Sequence, residues 1–230
     1  MGKAPHSQTL SRGIRVLELL ADSPGSLAIA ELAAALGVHR SIVYRILRTL
    51  EDHGLVARDA AGRAYLGVKI ATLARGVSGD LQAIARAALT GAANDLSMTA
   101  FLVILDRDEC VTLVSIEPRA GTATVAQHPG TRHPLLVGAP GIAIQSLLSD
   151  ASLASIAVKR RPESVDFGAT GYATSHDEVI SGLRSVAVPL TSSAHPPAAL
   201  AVVYIATRFT VEAIAARLIQ ARAVIIAALP

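Results

Sequence analysis

The sequence contains few aromatic residues, a single cysteine and no long apolar run. Aromatic residues make up 3% of the 230 residues, with no tryptophan, and charged residues 17%, whereas the hydrophobic share is 51%. A disordered chain combines low hydrophobicity with high charge, and a disulfide scaffold needs many cysteines, so both classes are excluded. The composition indicates a globular protein of one large domain or two ordinary ones.

Membrane insertion and secretion also lack sequence support. A membrane-spanning helix needs about 20 consecutive apolar residues. The longest uncharged stretch, residues 185–207, is interrupted by Pro189, Pro196 and Pro197. The first residues have no apolar segment of the kind found in a secretory signal. Together with the single Cys110, these features predict a cytoplasmic protein.

The positive charge is concentrated in the first third of the chain. The formal net charge is +3, but residues 1–75 carry ten basic and six acidic residues, whereas residues 76–230 carry eleven and twelve. A local excess of four positive charges is typical of a segment that meets a polyanion, although many inert surfaces carry as much.

Residue patterns in this first third predict a winged helix-turn-helix. Apolar spacing predicts helices over 9–21, 28–36 and 39–53, and Gly37 stands where the second helix ends. Two short β-like segments, 55–58 and 63–66, flank a turn and predict a hairpin. Helices joined by a tight glycine-containing turn and followed by a hairpin are typical of this DNA-binding unit.

The rest of the chain predicts an α+β domain. Residues 69–97 are an alanine-rich helical stretch interrupted near Gly76 to Gly79. The strands predicted beyond it alternate with turns and are followed by a closing helix, which indicates an antiparallel sheet covered by helices. The predicted strands are 99–105, 110–117, one near Thr122 to Gln127, 183–190 and 198–206, and the predicted helices are 140–148 and 210–229.

The third predicted helix has one polar and one apolar face. At 100° per residue its polar residues fall within about 140° of one another, opposite the apolar residues. Arginine reads guanine in the major groove, and Ser, Tyr and Arg hold phosphates, so this face is a candidate for DNA contact, with an ordinary solvated helix face as the alternative. The polar residues are Arg40, Ser41, Tyr44, Arg45 and Arg48.

These segments resemble the IclR family of bacterial transcription regulators. The resemblance lies in TLSRGIRVLELLAD, LAIAELAAALGVHRSIVYRILRTLEDHGLVARD and GRAYLG, and further along in HPGTRHPL, GAPGIA and GYATSHDEVISGLRSVAVPL. It covers residues 8–229. It implies a winged helix-turn-helix at 1–68, a linker helix at 69–93 and a GAF-like effector-binding domain at 94–230.

The resemblance also implies the partners. Members bind operator DNA as dimers or dimers of dimers, need no cofactor and respond to a small molecule. By analogy, the DNA-contacting residues are the five polar residues of the third helix, with Arg63 supporting from the wing. Coupling between the effector and the DNA would run through the linker helix.

The effector pocket departs from the family pattern. Leu136 and Ile142 stand where members often have polar residues, and Ser185 stands where a cysteine is usual. The family pocket often takes a small organic acid, but a buried anion needs a partner, so a less polar metabolite, a weakly bound ligand or no ligand would fit this chain as well. The candidate pocket residues, for each of which ordinary packing is the alternative, are Leu136, Gly138, Ala139, Glu178, Ser185 and Ala187.

Other chemistry finds little support in the sequence. The histidines are scattered without a cysteine partner, which disfavours zinc, and Cys110 lies in an apolar strand typical of a core. No phosphate-binding, dinucleotide-binding or hydrolase motif occurs. The alternative to a regulator is a small-molecule sensor or enzyme on the C-terminal domain, with the N-terminal part used for protein interaction.

Overall fold

The computed structural model describes residues 7–119, 125, 127–164 and 167–229. The chain forms two compact units, Met1–Val77 and Ser78–Pro230. The predicted strand near Thr122 to Gln127 falls on residues that lie largely outside the described part of the chain.

The first unit has three helices, a hairpin and a short fourth helix. The side chain of Ser7 accepts from the Leu10 amide at the start of the first helix, and Gly37 ends the second with a φ of 63°. The predicted order of elements is confirmed. The elements are α1 (Gln8–Asp22), α2 (Ile29–Leu36), α3 (Arg40–Asp52), β1 (Val56–Arg58), β2 (Ala64–Leu66) and α4 (Lys69–Ala74).

Apolar faces of α1, α2 and α3 form the core of this unit. Val16, Leu32 and Leu47 are fully buried there, beside Val56 and Ala64 of the hairpin. The hairpin pairs Val56 with Leu66 and Arg58 with Ala64 in antiparallel register. Leu27 adds a further bridge, exchanging amide–carbonyl hydrogen bonds of 2.8 and 2.7 Å with Ala64. The hairpin is therefore fixed to the turn before α2 by backbone hydrogen bonds.

The second unit is an antiparallel sheet covered on both faces. Its strands follow the order β5-β4-β3-β8-β7-β6. The elements, in chain order, are α5 (Gly79–Leu96), β3 (Thr99–Asp106), β4 (Glu109–Ile116), β5 (Arg132–Pro134), α6 (Gly138–Gln145), α7 (Asp150–Ser155), a 3-10 turn (Pro162–Ser164), α8 (Phe167–Thr170), β6 (Ala173–His176), β7 (Arg184–Leu190), β8 (Ala198–Tyr204) and α9 (Val211–Ala228).

Alternating side chains of the strands build two cores. Val186 and Val188 of β7 belong to the cluster that includes residues of α5 and α9, and Ala187 between them belongs to the cluster that includes residues of α6. This alternation is what the period-two geometry of a strand requires. The α+β class and the antiparallel sheet predicted from the sequence are confirmed. The short elements β5, β6, α7 and α8 were not predicted.

The stretch predicted as a linker helix, residues 69–93, contains two helices in the structure. α4 belongs to the first unit, and α5 begins at Gly79 in the second. The buried side chains of Leu81, Leu89 and Leu96 belong to the second unit's core. α5 therefore packs into the second unit. The part of the predicted linker that does not is α4 with the residues that follow it up to Ser78.

Candidate nucleic-acid interface and ligand cavity

The five polar residues predicted to contact DNA lie on the exposed side of α3. Arg40, Ser41, Tyr44, Arg45 and Arg48 are all exposed, whereas Val43, Ile46 and Leu47 are buried on the other side. Among the residues that the structure describes, Arg40, Arg45 and Arg48 make no salt bridge. The structure therefore places the five residues on one surface, with three uncompensated guanidinium groups.

The start of α3 is organised by His39, which sequence reasoning did not single out. Its Nδ1 accepts from the Ser41 amide at 3.3 Å and lies 2.9 Å from the Ser41 hydroxyl. This arrangement satisfies one of the free amides at a helix N-terminus. The Ser41 hydroxyl therefore lies beside the His39 ring, and its availability to a phosphate depends on His39.

Arg63 of the wing makes contacts within the first unit. Its Nε and Nη2 donate to the carbonyl oxygen of Ser26 at 3.1 and 2.7 Å, and Nη2 also donates to Glu31 at 2.9 Å. These contacts tie the hairpin to α2 and to the turn before it. The contact of Arg63 with DNA stays a prediction, since its guanidinium already has partners inside the unit.

A second wing arginine, Arg58, connects the hairpin to α3. Its Nε donates to the carboxylate of Glu51, and its Nη1 donates to the carbonyl oxygen of Gly62 at 3.2 Å. Its guanidinium carbon lies 5.9 Å from the centre of the Tyr44 ring, within the range of a cation–π contact. Arg58 therefore links the exposed face of α3, an acidic residue and the wing.

The second unit contains a small cavity of about 50 Å³ between the sheet and the loops beside α6. Three of the predicted effector residues, Gly138, Glu178 and Ser185, line it. Leu136 is 42% exposed, and Ala139 and Ala187 are fully buried in the core beneath α6. Direct contact between these last three residues and an effector stays a prediction.

Side chains occupy the amides at the start of α6. The Gly138 amide donates to Glu178 at 2.8 Å, and the Ala139 amide donates to the Ser175 hydroxyl at 2.9 Å. Arg161 donates to the two carboxylate oxygens of Glu178 at 2.5 and 3.3 Å, and also to the Leu136 carbonyl at 3.2 Å. The positive end of the helix is thus already paired with a carboxylate, whose charge Arg161 balances.

Other polar side chains of the cavity were missed by the sequence analysis. Gln127, His133 and Ser175 line it. Burial lowers the pKa of His133 below its ordinary value, so its imidazole is neutral at pH 7, with Nδ1 3.1 Å from the Pro134 carbonyl. Nothing in the local sequence marks these residues, because they meet only when β5, the segment before it and β6 come together.

Other candidate chemistry is sparse in the described residues. Burial raises the pKa of the Cys110 thiol to about 12, so it stays protonated at neutral pH. In the described ranges no three His, Cys, Asp or Glu side chains converge on a possible metal site. None of the helices in that part of the chain is both long and apolar enough to cross a bilayer.

Comparison with known proteins identifies the first unit. Residues 9–60 match the family model of the IclR helix-turn-helix domain. The HTH-type transcriptional regulator Rv1719 of Mycobacterium tuberculosis is 34% identical over 142 residues, which cover 61% of this chain and 54% of that protein. The acetate operon repressor of Salmonella typhimurium is 28% identical over 65% of this chain and 56% of that protein.

Structural likeness to a solved IclR regulator extends over the whole chain. A crystal structure of an IclR transcriptional regulator from Alicyclobacillus acidocaldarius matches 97% of this chain and 99% of its own, with a TM-score of 0.83 and 26% identity. Its first unit carries an IclR helix-turn-helix domain, and the whole chain has the fold of a solved IclR regulator. The resemblance recognised in the sequence is confirmed, although this chain spans only about half the length of the first curated relatives it matches.

A more distant IclR homologue shares the fold and has been seen with a ligand. The structure from Microbacterium hydrocarbonoxydans, complexed with 4-hydroxybenzoate, matches 96% of this chain with a TM-score of 0.83 at 18% identity. At that identity the likeness concerns the fold alone.

A second family model, of class I and II aminotransferases, matches residues 164–230. Aminotransferases of this type hold their pyridoxal cofactor through a lysine Schiff base, and this segment contains no lysine. In the structure its described residues form α8, strands β6 to β8 and α9 of the IclR fold. The match therefore gives no support to a transaminase activity.

Proposed function

We propose that the chain is a ligand-responsive transcriptional regulator that binds operator DNA through α3 and the wing. The observation that carries the proposal is the exposed face of α3, which presents Arg40, Arg45 and Arg48 without internal ion pairs in a family helix-turn-helix domain. A guanidinium that already had a carboxylate partner would lose that partner on meeting phosphate, whereas these three lose none.

DNA binding by a dimer or a dimer of dimers is part of the same proposal. Two copies of α3 held about one helical turn apart enter successive major grooves on one side of a duplex. The position of the operator relative to a promoter then determines whether the effect is repression or activation. The names of the curated relatives, which include repressors, support repression.

We further propose that a small molecule binds in the cavity lined by Gly138, Glu178 and Ser185. A buried water needs roughly 10–15 Å³ of such volume, so a cavity of about 50 Å³ holds a molecule of only a few heavy atoms without rearrangement. An aromatic effector the size of 4-hydroxybenzoate requires the surrounding loops to move.

The cavity lining favours the less polar of the two predicted effector classes. Among the described lining residues, Arg184 is the only permanent cation. By strand alternation its side chain points to the face opposite Ser185, on the side of Val186. Glu178 adds a carboxylate, and His133 is neutral. A small molecule with hydroxyl groups therefore finds more hydrogen-bond partners than a free carboxylate does.

Coupling between effector and DNA is proposed to run through residues 69–93. The effector has to bind one arrangement of the DNA-binding units better than another, and by linkage DNA then changes the affinity for the effector.

Base reading by α3 is tested with arginine variants. The full chain is used to select a duplex from a random-sequence library. The affinity for this selected duplex is then compared with the affinity for an unselected duplex of equal length. We expect Arg45→Ala or Arg40→Ala to weaken binding to the selected duplex by about 1–3 kcal/mol and to the unselected one far less. Arg63→Ala should act alike on both. Equal losses on the two duplexes for every α3 arginine would contradict base reading by this helix.

A further inference from the structure

Arg58 is the point at which the wing, an acidic residue and the exposed face of α3 meet. Its side chain is 24% exposed and that of Glu51 is 22% exposed, so the ion pair between them is largely sheltered. An arginine on the wing of a winged helix-turn-helix is well placed to contact the DNA backbone. The structure shows instead a guanidinium directed toward α3 and toward the carbonyl of Gly62.

Glu51 lies on the same side of α3 as the DNA-contacting candidates. It follows Tyr44 by seven residues and Arg48 by three, which places it about 20° from Tyr44 and about 60° from Arg48 around the helix. An acid and an arginine three residues apart on a helix pair readily. A free Glu51 carboxylate would therefore draw Arg48 into an internal ion pair and place a negative charge facing phosphate.

The observed contacts prevent both effects. Glu51 pairs with Arg58, and Arg48 makes no ion pair within the described residues. The guanidinium of Arg58 also lies over the Tyr44 ring. One side chain of the wing thus neutralises the acid and contacts the ring.

The remaining nitrogen of Arg58 argues against a direct role in phosphate binding. Nη2 is buried and has no hydrogen-bond partner among the described residues. A nitrogen without access to solvent cannot reach a phosphate oxygen unless the wing moves. The other two nitrogens donate to Glu51 and Gly62.

We propose that Arg58 is a positioning residue for DNA recognition: it holds the Glu51 carboxylate and the Tyr44 ring, and it thereby leaves Arg48 free to contact DNA. The proposal rests on the proposed function of α3. It explains how an acid is accommodated on a helix face that meets a polyanion.

The test is a double-mutant cycle on the full chain with the duplex selected by the unsubstituted protein. Arg58→Ala should weaken binding by about 5- to 20-fold, since contacting charged residues couple by amounts of this order. Glu51→Gln alone should bind as well as the unsubstituted chain or better. In the Glu51→Gln background, Arg58→Ala should cost clearly less than in the unsubstituted chain, because the acid is gone and only the contact with the Tyr44 ring is lost.

Two controls separate positioning from phosphate contact and from misfolding. Arg15→Ala breaks another arginine–glutamate pair of the same unit, with Glu18 on α1, and controls for the loss of one positive charge. Thermal unfolding by circular dichroism checks that each variant is folded, and Arg58→Gln, which keeps the bulk without the charge, replaces Arg58→Ala if the latter unfolds.

The salt dependence of DNA binding distinguishes a positioning role of Arg58 from a direct contact with phosphate. In the Glu51→Gln background, Arg58→Ala should leave the slope of log affinity against log salt unchanged. Loss of a phosphate contact would reduce it by about one unit. Equal losses in both backgrounds together with a reduced slope would overturn this proposal and leave the proposed function intact. Failure of the unsubstituted chain to select any sequence would overturn both.

Discussion

Gly138 begins α6 with a φ of 83°, a backbone conformation that L side chains rarely adopt. A Cβ at this position would lie 2.9 Å from Cγ2 of Val179 and 3.7 Å from the His133 ring, at the edge of the cavity. The glycine therefore allows the chain to enter the helix while its amide meets Glu178. This requirement is local, and it connects the fold of α6 to the shape of the proposed effector site.

We expect Gly138→Ala to destabilise the second unit by about 1–3 kcal/mol, because the substitution adds both backbone strain and a contact with Val179. Chemical denaturation of the full chain, followed by circular dichroism, measures the change. Gly168→Ala is the matched control, since a Cβ there meets no atom within 4 Å and its φ is not positive. Equal stabilities for the two variants would contradict this explanation of Gly138.

At the scale of elements, the wing is held by the turn that joins its strands. The carboxylate of Asp59 accepts from the Ser26 hydroxyl at 2.7 Å and from the amides of Ala61 and Arg63 at 2.9 Å each. These hydrogen bonds, with that of the Ser26 hydroxyl the largest contributor, hold the pKa of Asp59 below its ordinary value. The turn therefore depends on an ionised carboxylate.

The pH dependence of stability follows from the direction of this shift. A carboxyl group whose pKa is lower in the folded state than in the unfolded state stabilises the folded state. This stabilisation is complete above the ordinary pKa and is lost as the pH falls through the lowered pKa. We expect Asp59→Asn to lower the unfolding temperature at pH 7, with the difference shrinking as the pH falls below about 4. Asp52→Asn, which removes an exposed carboxylate of the same unit, is the control. If the difference in unfolding temperature between Asp59→Asn and the unsubstituted chain stays constant at acidic pH, the ionised Asp59 carboxylate is not what stabilises the turn.

Periodic elements could be predicted from the sequence, and contact-dependent ones could not. α3 follows from the 3.6-residue spacing of Val43, Ile46 and Leu47. β5 has three residues and ends at Pro134, and it is a strand only because it pairs with β4. Because β5 forms only in the folded sheet, the local sequence contains no pattern that predicts it.

The candidate site divides in the same way. The exposed face of α3 could be predicted because one helix supplies all of it. The pairing of Glu178 with Arg161 and with the Gly138 amide joins residues far apart in sequence, and only the folded sheet brings them together. The partners of Arg63 and Arg58 were missed for the same reason, since they lie on other elements of the first unit.

At the scale of the whole molecule, the chain divides into two units between Val77 and Ser78. α4 ends at Ala74, and residues 71–77 are exposed. Exposed segments between compact units are the preferred sites of proteolytic cleavage. This boundary also lies within the stretch proposed to couple effector binding to DNA binding.

We expect trypsin, in limiting amounts, to cut first after Arg75 among its sites between residues 60 and 100. Mass spectrometry identifies the fragments, and the larger one should keep the β-sheet signal by circular dichroism, because α5 begins beyond the cut. Arg75→Gln should slow this cleavage and leave cuts elsewhere unchanged. A first cut after Arg86, inside α5, would contradict the division into units at this place.

The position of β8 in the sheet has a consequence for the behaviour of the protein at high concentration. Ala198–Tyr204 is a seven-residue run without charge or proline, and all of it is buried. Such segments are the ones that aggregate when their edges become free. β8 lies between β3 and β7, so both its edges are paired, and the strands at the ends of the sheet are β5 and β6, with three and four residues. Short edge strands offer little template for pairing with another chain. This aggregation-prone segment is thus protected by its neighbours for as long as the second unit stays folded.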